Sequence, residues 1–481
     1  MPDFSANGFV LARLVLERGL AAIYAIAFVV AVNQFPALCG ERGLDPAPRF
    51  VRRVPFWRAP SLFHGWRYSD ARLRAVAVVG IAVSAMLVIG LPQRAPLPVT
   101  MLSWLLLWVL YQSIVNIGGT FYRFGWETML LEAGFLAVFL GNADVAPQWP
   151  VLIAFRWLAF RVEFGAGLIK LRGDACWRKL TCMEYHHETQ PMPNALSRTA
   201  HQMPPWFHKL EVAGNFAAQL ALPFGLFLPQ PVASIAALSM IGTQAYLVTS
   251  GNYAWLNWLT MLLLFSGVGD GLFGIAREDF APTPSWFTVL VLLLSAMVLS
   301  LSRRVVANLM SPDQAMNASF DPLRLVNTYG AFGSVSRQRV EVIVEGTIAD
   351  EASAPETEWR EYEFKAKPGA TDRRPPQIAP YHLRLDWLMW FIPLSPRFAE
   401  GWFVVFLRRL LEADRATLKL LRRDPFDGMP PTFVRARMFR YRFTRRGEGE
   451  GAIWHRELLS DYVRPMSLTR GAEIGGRVVR R

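Results

Sequence analysis

The sequence predicts a polytopic α-helical membrane protein of about nine transmembrane helices, followed by a small soluble α/β domain with a mixed sheet. Three observations lead there. Of 481 residues, 52% are hydrophobic and 19% charged, whereas ordinary soluble chains are about a quarter charged. The apolar residues gather in runs of about 16 to 22, close to the length that crosses a ~30 Å hydrocarbon layer as helix. After residue 310 those runs stop, and short alternating segments rich in arginine replace them.

Taken in order, the candidate spans lie near 14–33, 74–91, 97–117, 124–141, 150–171, 206–227, 231–250, 253–268 and 285–301. The first has no basic start and no small-residue cleavage site, so it reads as a retained anchor. Trp149, Trp206, Tyr253 and Trp286 stand near span ends, where amphipathic rings favour the membrane interface. If every span crosses, loops 34–73, 118–123 and 172–205 share one face with the C-terminal region. That face holds most of the loop arginines, and the positive-inside rule assigns it to the cytoplasm. The net charge of +13 therefore reads as topology and solvation. No basic groove interleaved with aromatics stands out, so the expected partner is membrane lipid and not nucleic acid. Cys176 and Cys182 are expected as two ordinary free thiols, with a bridge between them as the alternative.

The region 1–310 is thus the membrane part, 311–468 a soluble domain, and 469–481 a basic tail expected to be disordered. Within the soluble domain, RVEVIVEGTI (339–348), WREYEFKAKPG (359–369) and FVRARMFRYRFT (433–444) alternate as half-buried strands. WFVVFLRRLLEADRATLKLLRR (402–423) carries apolar residues at helical spacing, and DPF follows as its stop.

The fifth span is the anomaly. Arg156, Glu163 and Lys170 recur every seven residues, and seven helical steps return within about 20° of the start, so the three share a face. Arg161 lies elsewhere on the same helix. A charge near the bilayer centre costs at least ~2.5 kcal/mol on insertion scales, so these groups should face protein or a watery cavity. The fourth span adds Glu127 and Glu132 opposite Arg123, and the sixth adds Glu211. Together they predict a buried ionic cluster among spans four, five and six. Its plainest role is to fix helix register, with Arg156 and Lys170 snorkelling at the ends; a catalytic or ligand-holding role is the competing reading.

The following loop, CMEYHHETQPMPN, offers Glu184, His186 and His187 as candidates beside Trp177. Adjacent histidines point apart on a helix, and an i, i+4 pair is missing, so no metal site is expected. No nucleophile elbow and no phosphate-binding glycine loop is present, and no motif specifies a cofactor.

Longer blocks carry more information. NIGGTFYRFGWETMLLEAGFLAVFL (116–140), the stretch 155–194, SGNYAWLNWLTMLLLF (250–265) and FDPLRLVNTYGAFGSV (320–335) strongly resemble the lipase maturation factor family. WREYEFKAKPG, RRPPQIAPYHLRLDWLMWF (373–391) and DPFDGMPPTFVRARMFRYRFT (424–444) extend the likeness over essentially the whole chain. The resemblance implies a multi-pass membrane protein that helps secreted dimeric lipases fold and assemble, with a secreted lipase or another exported protein as client. In animals such proteins sit in the endoplasmic reticulum with the C-terminal domain toward the lumen, opposite to the charge rule. The arginine content and short termini here suggest a bacterial inner membrane instead. A weaker similarity links GAGLIKL, Trp177 and MEY (183–185) to the vitamin K-dependent gamma-glutamyl carboxylase. It implies Lys170 as a base, with Glu163 and Arg156 beside it, acting on a lipid-soluble or peptide substrate. Two readings follow: an assembly factor in which the aromatic RLDWLMWF stretch contacts a client, or an intramembrane enzyme.

Overall fold

The computed structural model describes residues 3–275, 279–445, 447–448 and 451–468, with the backbone of 473–474 and 477–478. Each expected span meets a helix: α1 (Val10–Cys39), α2 (Asp70–Ile89), α3 (Leu97–Ile117), α4 (Gly125–Ala137), α5 (Trp149–Arg172), α6 (Pro205–Phe216), α7 (Val232–Ser250), α8 (Leu256–Leu264) and α9 (Ser285–Met310). They are not equivalent. Five of them (α1, α2, α3, α7 and α9) are long and apolar enough to cross a membrane by length and composition. The expected count of nine thus meets four helices of another kind: α4 and α8 are short, α5 is charged, and α6 is interrupted.

Local chemistry explains several boundaries. The Ser69 hydroxyl accepts from the Arg72 N–H at 3.2 Å, capping α2, and Gly90 ends it in the left-handed region at φ +83°. In the sixth span, α6 runs into a π turn at Ala217–Ala221 before one last turn, Leu222–Gly225. Pro223 accounts for this: its ring has no N–H for the carbonyl of Gln219 and crowds it, so the helix widens. The widening puts Gln219 where α5 packs on the π turn.

α5 is the central helix, packed against the π turn, α8 and α9. Residues 314–335 cross it at two glycines. A Cβ on Gly165 would sit 2.3 Å from the Tyr329 carbonyl oxygen, and one on Gly173 2.2 Å from that of Gly333. Only hydrogen at these positions lets the two backbones meet.

The C-terminal sheet has the order β2-β1-β3-β4-β5-β6, with β1 (Arg339–Thr347), β2 (Arg360–Glu361), β3 (Phe433–Phe443), β4 (Trp454–Met466), β5 (Glu473–Ile474) and β6 (Arg477–Val478). Every pair is antiparallel, so the expected mixed sheet is corrected to an antiparallel one. The expected strand 359–369 contributes only Arg360–Glu361. Beyond them the N–H groups of Ala366 and Lys367 turn to the Asp386 carboxylate at 2.7 and 3.1 Å, a side-chain acceptor replacing a ladder. The expected helix 402–423 is α11 (Phe403–Leu411), which stops before Ala413 at φ +46°. RLDWLMWF forms α10 (Arg384–Phe391), and its residues from Arg384 to Met389 are buried, which removes it as a client contact. The tail expected to be disordered lies outside the described residues except for the short strands β5 and β6.

A single apolar core runs from the helices into this domain; Phe121 and Trp402 meet across the junction with ring centroids 5.4 Å apart. Cys176 and Cys182 form a disulfide with Cα atoms 4.8 Å apart, not the pair of free thiols expected. Cys39 is free and buried.

Candidate functional site

The ionisable groups of the helical region do not form one cluster. They divide into separate buried nodes, each with its own partners.

At the junction node, Glu127 on α4 pairs with Arg384 on α10 at 2.7 Å, both side chains fully buried. The Tyr111 hydroxyl also donates to Glu127. The guanidinium lies 3.5 Å over the Tyr122 ring and donates to the Phe121 carbonyl at 2.8 Å. Gln34 of α1 completes the seam: its amide donates to the His382 carbonyl at 2.7 Å and accepts from the Arg384 N–H at 3.0 Å. Burial, with Arg384 beside it, pushes His382 down to about 4. Arg123, expected to neutralise Glu127 and Glu132, is exposed; Arg384 and Arg161 take its place.

Glu132 pairs with Arg161 of α5, both about 1% exposed. The carboxylate also accepts from the Asn327 N–H at 3.1 Å and the Tyr329 hydroxyl at 2.8 Å, while Arg161 donates to the Asn327 carbonyl at 2.7 Å. The crossing segment 320–335 is thereby tied to the helices.

The third node answers the puzzle of the fifth span. Glu163 and Lys170 are buried and turned inward, 1% and 5% exposed. They are linked through amides. The Lys170 ammonium donates to Asn215 Oδ1 at 2.9 Å and Gln219 Oε1 at 2.8 Å. Gln219 Nε2 in turn donates to Glu163 at 3.3 Å. Gln244 donates to the other carboxylate oxygen at 2.7 Å and accepts from Asn257 at 2.7 Å. Trp177 places its ring 5.1 Å from the Lys170 ammonium. Arg156 faces the same broken span but farther along, donating to the carbonyls of Leu226 and Ser266, both at 3.1 Å. It does not join the Glu163–Lys170 chain.

A fourth node gathers the loop histidines. Glu211, placed by sequence among the charges of spans four and five, instead meets His187 Nε2 at 2.9 Å and His208 Nδ1 at 2.7 Å. His186 turns away to the Tyr253 hydroxyl at 2.9 Å, and burial pushes it down to about 3. Glu184 is half-buried and outside these pairs. The ligand atoms of His187, His208 and Glu211 lie within 4.8 Å of one another, so these residues could hold a metal where the sequence offered no such set.

Sequence reasoning missed Arg384, His382, Asn327 and Tyr329, because nothing local pairs them with helices far upstream. It also passed over buried Glu17, four residues after buried Arg13 in α1. That i, i+4 spacing was a usable signal. In the sheet, Glu341 sits fully buried between Arg339 at 2.5 Å and Lys367 at 2.8 Å, and Arg339 reaches into loop 172–205 to the carbonyl of Glu188 at 2.9 Å.

A family model described as the lipase maturation factor transmembrane domain matches residues 11–275, and one described as its C-terminal domain matches 325–464. The chain is 41% identical to Lipase maturation factor 1 of Bos taurus, over 96% of this chain and 90% of that protein. Identity to the Homo sapiens Lipase maturation factor 1 is 40%, covering 96% and 88%. Lipase maturation factor 2 of Homo sapiens is 27% identical, covering 95% and 83%. No solved structure matches.

Proposed function

This chain belongs to the lipase maturation factor family, and on that premise we propose that it is a multi-pass membrane factor for the maturation of lipase-like clients. The observation that carries the reading is the likeness to Lipase maturation factor 1 at about 40% identity across both the helices and the C-terminal domain. The fold is compatible with a fixed platform. The C-terminal domain is tied to the helical part through Glu127–Arg384 on α10 and through Arg339 of β1 to the Glu188 carbonyl. With RLDWLMWF buried, one exposed apolar feature of the domain is β4, where Leu458 and Leu459 are 49% and 45% exposed among charged neighbours. Tyrosine- or leucine-bearing strands of an immature client would find apolar contact and an adjacent backbone there.

The C-terminal domain faces the oxidising side of its membrane in this proposal. Disulfides persist in oxidising compartments, and Cys176–Cys182 lies in the loop that Arg339 ties to the sheet. The charge rule points the other way, and in this proposal the disulfide outweighs it. The bacterial inner membrane suggested by composition gains no support from the relatives named above, which are mammalian. The carboxylase-like alternative is not adopted, since Lys170 donates to two amide oxygens where a base would need a free amine.

The test is co-expression with a secreted dimeric lipase in cells lacking their own maturation factor. Recovery of secreted lipase activity per unit of lipase protein is expected. Inactive lipase beside a fully expressed, membrane-inserted chain would overturn the reading. A glycosylation or alkaline-phosphatase reporter after residue 468 separately tests the side, and a cytoplasmic result would sink the assignment.

A further inference from the structure

Independently of any client, the helix Met183–Thr189 and the start of α6 converge on a group the function above does not use. His187 and His208 are 1% and 2% exposed, and both point at the Glu211 carboxylate from separate elements. We propose that His187, His208 and Glu211 form a divalent-metal site of the zinc type, with an open fourth position.

The convergence of two buried imidazoles on one carboxylate carries the inference. His208 Nε2 lies 3.4 Å from the backbone carbonyl of His201. That contact is long, whereas Nδ1 lies 2.7 Å from Glu211 Oε2, so this nitrogen either donates a hydrogen to the carboxylate or shares a metal ion with it. The other carboxylate oxygen lies 2.9 Å from His187 Nε2, and the Tyr246 hydroxyl donates to that same oxygen. One dication serves both imidazoles at once.

The donor atoms are close enough for one ion to gather, with the 2.7 and 2.9 Å His–Glu separations opening slightly on binding. Zinc takes imidazole nitrogen at about 2.0–2.1 Å and carboxylate oxygen at about 2.0–2.2 Å, which gives tetrahedral edges of about 3.3 Å. The three donor atoms already lie within 4.8 Å of one another. Two imidazoles with one carboxylate favour zinc over the oxygen-seeking magnesium and calcium. The His201 carbonyl and Tyr246 hydroxyl form the outer shell that such ligands need to hold their orientation. A metal here would staple the helix that follows the Cys176–Cys182 loop onto α6. Asn215, one turn beyond Glu211, and Gln219, one turn further, are the partners of Lys170.

Full-length protein purified in detergent, stripped with chelator and dialysed against micromolar zinc, provides the test. We expect about one zinc per chain by elemental analysis, and with cobalt a visible tetrahedral d–d absorption that chelator removes. His208→Gln and Glu211→Gln should each lower metal content more than ~10-fold, whereas His201→Ala keeps the backbone carbonyl and should retain the metal. If the ligand variants fail to fold, the cobalt spectrum of the unaltered protein still decides. Absence of zinc retention and of any cobalt band in the unaltered protein is the result a proton-held cluster gives, and it would overturn the proposal. Equal metal content in His208→Gln and the unaltered protein would do the same.

Discussion

Two buried nodes solve the same electrostatic problem in different ways. At the junction, Glu127 and Arg384 touch at 2.7 Å with no solvent access, and the partner comes from the far end of the chain. Within the helices, Glu163 and Lys170 lie on one face of α5 and do not touch; Gln219, held by a π turn, hydrogen-bonds to both. A direct pair is demanding: either charge alone in that position is intolerable, so the contact dictates how the C-terminal domain docks. An amide-bridged pair is forgiving, because no charge–charge contact has to be matched and removing one charge leaves the other on its amide partners. The first node specifies architecture; the second keeps polar groups inside the helices without locking them together.

The sharpest way to break this contrast is at the junction. Arg384→Ala strands a buried carboxylate and should cost about 3–5 kcal/mol, read as loss of folded protein in thermal melts and protease release of the C-terminal domain. By the same reasoning, simple truncation at residue 311 would expose Glu127 and damage the helices too, so it reports on folding and not on client binding.

Next comes the crossing segment. Gly165→Val drives a side chain into the Tyr329 carbonyl and should cost about 1–3 kcal/mol through overpacking. It should also loosen the Glu132–Arg161–Tyr329 node, seen as faster hydrogen exchange over residues 320–335.

Acid sharpens the comparison further. His382 is held down to about 4 from an ordinary 6.5 by burial, with Arg384 contributing. Its folded value is depressed, so the unfolded chain binds the extra proton first. The associated stability is complete above pH 6.5 and is lost as pH falls toward 4. From pH 7 to 5 this group accounts for on the order of 2 kcal/mol. His186, lower still at about 3, and His201, at about 4 through burial, act in the same direction. His382→Asn should flatten the melting profile by the junction's share.

The smallest effect is expected at the bridge. Gln219→Ala leaves Lys170 with Asn215 and Glu163 with Gln244, and should cost about 1–2 kcal/mol. Accessibility of Lys170 to amine-acylating reagents should rise in parallel. A loss as large as that of Arg384→Ala would erase the distinction between the nodes.

What could be read in the chain alone follows the same division. Heptad spacing put Arg156, Glu163 and Lys170 on one face of α5, because helix geometry is local, but it also suggested a single ionic cluster where the structure has separate nodes. Pro223 stood in the sixth span as a usable signal for the break that positions Gln219, and it went unread. The partner of Glu127 was not visible. Arg123 is four residues away and was the natural choice, yet it is exposed, while the true partner arrives only through docking of α10. Glu211 failed in the same way: His208 stands three residues before it, but His187 comes from a loop whose path no periodicity encodes. β4 was missed because its apolar residues, Leu458, Leu459, Val463 and Met466, do not alternate. The segment 359–369 was overread as a strand because its alternation serves packing under Asp386 instead of a ladder.

Double-mutant cycles on the two nodes, read as thermal stability of the full-length protein in detergent, test the account most directly. Glu127→Gln with Arg384→Met should show a coupling above ~2 kcal/mol, and Glu163→Gln with Lys170→Met one below ~1 kcal/mol. Equal couplings at the two sites, or the larger one between Glu163 and Lys170, would contradict it.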